Sequence, residues 1–169
     1  MGKTANETRL ICDFKQKETK LKRTIKVANK AHLNLTYYLI ANGCHKTYDF
    51  AFLQQANSHV QIAFYIYAIN HGSINIKLSN IVKKGVDGCT IKQIIEGVND
   101  RDSTIKVIPG MIVETNQINA THNVSIGHFD PEKIFYLACK GVNEQMAKRW
   151  LIKNLFALIE ETTYQKFLN

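Results

Sequence analysis

The chain has 169 residues, 45% of them hydrophobic, and carries 22 Lys plus Arg against 14 Asp plus Glu for a formal charge of +8. That length fits one domain and can bury roughly 70% of the unfolded surface, so folding requires no disulfide or metal staple. No apolar run reaches about 18 residues and the start, MGKTANETRL, lacks a signal core, so neither a membrane helix nor export is expected and the cytoplasm is the default compartment.

The positive charge is concentrated early, at Lys15, Lys17, Lys20, Lys22, Arg23, Lys26 and Lys30. An excess of this kind favours acidic partners, nucleic acid first among them. No aromatic interleaving or binding motif accompanies the lysines, so a solvated face is the preferred reading and nucleic acid is disfavoured. From about Glu7 to Ile126 the pattern is mostly strand. Leu33, Leu35, Tyr37 and Leu39 alternate with polar residues, and the alternation recurs through Val60 to Ala68 and Ile74 to Leu78. Thr, Ile, Val, Tyr and Phe are abundant, as strands prefer. Asn42-Gly43, His71-Gly72, Lys84-Gly85 and Asp87-Gly88 are expected turns. Short, evenly spaced strands of this kind suit a sandwich, a barrel or a β-solenoid.

Residues from Asp130 onward switch to helix. Asp130 is placed to cap a helix whose first position is Pro131, and Ile134, Leu137 and Ala138 share one face. Gly141 is expected to end that helix, and Asn143 to cap a second, with Glu144 complementing its dipole. Met146, Trp150, Leu151, Leu155, Leu158 and Ile159 recur at helical spacing, so Trp150 is expected in the core. The expected division is a β core over 1–129 and a helical subdomain over 130–169, with the helices plugging the open edge of the sheet.

The four cysteines, Cys12, Cys44, Cys89 and Cys139, form no C-x-x-C pair, so a self-contained zinc or cluster motif is not expected and each is most simply a small buried hydrophobe. Cys44 and His45 are adjacent, and their side chains diverge in a strand. His122 stands alone in a polar stretch, with His128 six residues on, close enough to share a site only if the turn folds back. No P-loop, nucleophile elbow or His-Glu-x-x-His helix is present, and the chain is expected to be non-enzymatic.

One stretch carries an ordered series of about a dozen positions: Pro109, Met111-Ile112-Val113, Glu114, Thr121-His122-Asn123, Gly127, Asp130, Phe135-Tyr136-Leu137, Gly141-Val142, Ala147 and Phe156. This series resembles the C-terminal end of the SufB/SufD family of iron–sulfur cluster assembly scaffolds, over about residues 104–158. The resemblance implies a shortened, mainly β chain: a right-handed parallel β-helix with a short C-terminal α-helical tail. His122 matches the family's cluster-site histidine, which lies where SufB and SufD meet. The position after it is Asn123, where SufB-type members carry Glu, so the chain is SufD-like. Cys89 lies two residues before Ile91, the position aligned with a cluster-related Cys of SufB-type members. The loose match leaves a buried core Cys as the preferred reading.

The resemblance further implies a SufC-like ATPase docked on the tail, through a surface drawn from Tyr136, Lys140, Asn143 and Arg149. It implies a SufB-like subunit or a second copy on the β-helix edge, and sulfide supplied indirectly by a cysteine desulfurase. It implies no intrinsic cofactor, only a transient iron–sulfur cluster. The alternative reading from another class is a basic module, binding RNA or an acidic protein, that keeps this fold without the cluster role.

Overall fold

Nine strands and two helices make up the computed structural model, which describes residues 4–11, 18–100 and 102–156. Cys12, Lys15, Lys17, Leu158 and Ile159 lie outside the described residues. Successive strands alternate between two sheets. One has the order β1 (Thr4–Ile11), β3 (His32–Asn42), β5 (His59–Ile69), β7 (Cys89–Asn99), β9 (Ile118–Gly127); the other β2 (Glu18–Val27), β4 (His45–Gln54), β6 (Ser73–Val82), β8 (Thr104–Val113). Every pairing is parallel. The chain therefore coils: each turn adds one strand to each sheet, and the molecule is a parallel β-helix. His32 pairs with His59 and His59 with Thr90, a step of 27 and then 31 residues. This uneven step hides the repeat from a search for a fixed period.

The period-2 alternation sorts side chains as expected. Inward residues stack in columns between the sheets, with Tyr37, Phe64 and Ile95 in one and Leu39 and Ile66 in the next. The Tyr37 and Phe64 rings stack at 5.0 Å between centroids, because parallel in-register pairing sets like positions one above another. The corners are tight. Gly43 takes φ +64, and Asn70 and His71 take φ 52 and 61. Asn70 is held there by its Nδ2, which donates to Asn42 Oδ1 of the preceding turn at 2.8 Å. At Gly72 a Cβ would lie 2.3 Å from the Ala41 carbonyl oxygen, so close approach rather than φ demands glycine.

The helices occur where capping chemistry indicates. Asp130 accepts from the Glu132 amide at 3.0 Å at the start of α1 (Pro131–Cys139), and Asn143 accepts from the Met146 amide at 2.9 Å at the start of α2 (Glu144–Leu155). Gly141 follows α1 at φ +82. The described part of the tail does not plug the open edge, however. Ile152 and Phe156 pack against Tyr38, Ile40, Tyr67 and Ile69, which point outward from β3 and β5. These strands are apolar on both faces over their second halves, and the outer half needs cover. Trp150 is 51% exposed, contrary to its expected core position. The buried stripe of α2 is Ala147 and Ile152, which leaves Met146 and Trp150 on the solvent side. Among the described residues, no helix is long and apolar enough to cross a membrane.

Candidate functional site

Because the tail lies on the flank, β8 and β9 end the two sheets with one edge each unpaired. Apolar side chains are exposed along this end: Ile108 at 50%, Ile112 at 52% and Val124 at 39%. An uncovered parallel edge with apolar residues offers free N–H and C=O groups for pairing with another chain.

His122 lies in the middle of β9. It pairs with Gln93 of β7, which pairs with Ile62 of β5, which pairs with Leu35 of β3. This column is inward-facing: Leu35, Ile62 and Gln93 are buried. His122 is its last member among the described residues, and it is exposed. The imidazole thus projects at the open end with the geometry of a core residue and the access of a surface one. Beneath it, Gln93 Nε2 donates to the Gly110 carbonyl at 3.4 Å, while Gln93 Oε1 is buried without a hydrogen-bond partner. An unsatisfied buried acceptor is uncommon. The Gln93 backbone lies a single strand spacing, about 4.8 Å, below that of His122.

Cys89 is at the start of β7, four residues before Gln93. It is buried, and Sγ donates to the Gln55 carbonyl at 3.3 Å with Ser58 Oγ at 3.7 Å. Four strand residues separate its row from that of His122 by about 13 Å, so the fold does not bring the two together. Ile91 shares the buried face of Cys89. Cys44 is buried and His45 exposed, as divergent neighbours in a strand should be; His45 Nδ1 lies 2.8 Å from Ser73 Oγ. Cys139 is exposed. His128 follows the straight run of β9 and is therefore about 20 Å from His122; its Nδ1 donates to the Asn99 carbonyl at 3.0 Å. Among the described residues, no three of His, Cys, Asp or Glu converge to hold a metal ion. One imidazole at an edge does not by itself make a metal site.

The helical tail presents a second surface. Tyr136 is 61% exposed on α1, and Lys140 Nζ sits 5.7 Å from its ring centroid, one turn on. Arg149 is exposed on α2. The Asn143 side-chain oxygen is committed to capping α2. Three residues not expected there join this surface: Phe135 at 71% exposed, Met146, and Trp150. Their exposure depends on the rotation of α2 about its axis, and the heptad-like apolar pattern disguised it. Between the tail and the coil lies a cleft of about 570 Å³, lined by Asp100, His128, Phe129, Phe135 and Lys148 among others.

Residues 98–155 match the family model of the SUF system FeS cluster assembly SufBD core domain. The matched span runs from the end of β7 through both helices, and so includes the open edge, His122 and the tail. An iron–sulfur cluster assembly SufBD family protein of Mycobacterium leprae is 38% identical over 53 residues, which are 31% of this chain and 14% of that protein. A protein of the same description from Mycobacterium tuberculosis is 36% identical over 53 residues, 13% of its length. The aligned segment is thus a small fraction of each relative's length. Residues 98–155, which complete the parallel coil, are thus similar to the SufBD core domain and to these relatives.

Proposed function

We propose that this chain is a SufD-like scaffold subunit in iron–sulfur cluster assembly. The observation that supports it most directly is the coincidence of the family-matching segment with the exposed edge that carries His122. In this reading the β8–β9 end pairs with a SufB-like subunit or a second copy. The helical tail, through Tyr136, Lys140 and Arg149, docks a SufC-like ATPase. The chain catalyses no step itself. The neutral imidazole of His122 lends a lone pair to iron of the nascent cluster, which is cargo, and the partner subunit supplies the other ligands. Gln93 Oε1, unsatisfied beneath His122, orients the ring by accepting its other N–H once the edge is covered. ATP-driven movement of the ATPase pair would open the interface and admit iron and sulfide, the latter delivered from a cysteine desulfurase.

The test is co-expression with the SufC-like ATPase of the same organism, followed by affinity capture and size-exclusion chromatography. A stable complex lost on Tyr136→Glu, with the circular dichroism of the variant unchanged, is the expected result. Absence of any complex with the folded wild-type chain would overturn the docking role. In an anaerobic reconstitution of the assembled complex, His122→Ala is expected to lower cluster yield; equal yield would remove His122 as a ligand.

A further inference from the structure

The two broad faces of the coil differ in charge. On the outer face formed by β3, β5, β7 and β9, Lys92 is offset by Glu96 four residues on. The outer face of β2, β4, β6 and β8 carries five lysines. Lys20, Lys22 and Lys26 follow one another along β2. The register brings Lys77 into the row of Lys22 through Asp49, and Lys106 into the row of Lys20 through Thr47 and Asn75. Of these five, only Lys22 has a described carboxylate within ion-pair range, Asp49 at 3.8 Å, and its side chain is 80% exposed. Lys20, Lys26, Lys77 and Lys106 are exposed as well. The early lysines are thus not spread around the molecule: parallel pairing gathers them with two distant ones into a single plane.

We infer that this face binds the phosphate backbone of a nucleic acid without regard to sequence. Three features favour that occupant. The charges are ammonium groups, which act as point contacts to phosphate and are depleted at protein–protein interfaces. Alternate residues along β2 stand about 6.6 Å apart, a step comparable with that between successive phosphates of an extended strand. Thr47 and Asn75 lie between Lys20 and Lys106 in one row, Thr24 and Ser79 lie in a row of the same face, and all four supply neutral hydrogen-bond donors to phosphate oxygens. The face carries no Phe, Tyr or Trp on which bases stack, so contact is with the backbone and sequence is not read. It lies on the side of the coil away from the helical tail, and it does not depend on the scaffold reading.

The experiment is fluorescence anisotropy of a labelled single-stranded oligouridylate with the full chain, across about 50 to 200 mM salt. Binding is expected with a slope of log K against log salt of about −3, from roughly 0.7 per phosphate neutralised by the four or five lysines. Lys20→Glu/Lys26→Glu/Lys106→Glu should weaken binding at least tenfold. Lys92→Glu/Lys133→Glu/Lys140→Glu, with the same change in net charge, should weaken it less than threefold. Equal loss in both variants, or no binding at the lowest salt, would overturn the proposal. Polyglutamate bound as tightly as the oligonucleotide would overturn it too, and would reassign the face to an acidic protein. Circular dichroism of both variants establishes that each is folded, since all six positions are on the surface.

Discussion

Three residues illustrate how local chemistry is set by position in the coil. Gly72 touches the Ala41 carbonyl of the preceding turn, where a Cβ would fall at 2.3 Å. Neither backbone can yield without breaking the corner, so Gly72→Ala should destabilise by about 1–3 kcal/mol, read from urea unfolding. Tyr67 is buried against the tail, with its ring at 6.1 Å from Phe129, edge to face. Burial, then the nearby Asp100 carboxylate, pushes its phenol above the ordinary value of 10.0. The folded state therefore holds that proton more tightly than the unfolded one. Its contribution is whole below pH 10.0 and declines as pH rises beyond it. Unfolding midpoints should drop between neutral pH and pH about 11, and Tyr67→Phe should drop less; equal drops would show that Tyr67 is not the group responsible. His122 differs from both. Its residue type and its neighbours Thr121 and Asn123 were legible as a motif, but its access depends on there being no strand above it.

At the scale of the elements, the helical tail was legible in its ends and not in its orientation. Asp130 and Asn143 cap as their side chains dictate, and each replacement by Ala should cost about 1 kcal/mol of stability. The face that α2 buries was not legible, since Ala147 and Ile152 compete with Met146 and Trp150 for a similar spacing along the helix. What settles the choice is the apolar outer surface of β3 and β5, where Tyr38, Ile40, Tyr67 and Ile69 receive Ile152 and Phe156. Ile152→Ala should cost about 2–5 kcal/mol. In the proposed docking role it should also weaken ATPase capture, since the tail surface is positioned only while α2 is seated, whereas Tyr136→Ala should weaken capture with little loss of stability. Thermal melts alongside pull-downs separate the two effects. Trp150, half exposed, offers a fluorescence report: its emission should shift little in Ile152→Ala if the tail stays helical.

For the whole molecule, the consequence of coiling is that core residues and edge residues share columns. A β-sandwich would leave both edges on the flanks; this coil places the exposed edges at its ends, continuous with the interior. Val124 stands above Ile95, a fully buried residue, yet is 39% exposed. Among the described residues the β8–β9 end is thus a core surface without its next layer, the surface on which the proposed second chain would add one. Val124→Lys should leave stability nearly unchanged and abolish association through this end, seen in sedimentation velocity as a shift to the lighter species. An unchanged distribution would place the association elsewhere.

Composition and alternation by themselves determined a mostly β chain with a capped helical tail, because period-2 burial and capping hydrogen bonds act within a few residues. The ordered series from Pro109 to Phe156 carried the resemblance to the SufB/SufD family, which implied the coil. Parallel register was decided only in three dimensions, since the strands that pair are about a full turn apart and their steps are unequal. The same register decided which lysines share a face, which column ends in His122, and that the tail covers a flank rather than the open end. Each of those depends on stacking between distant segments, and side-chain pattern along the chain carries no record of it.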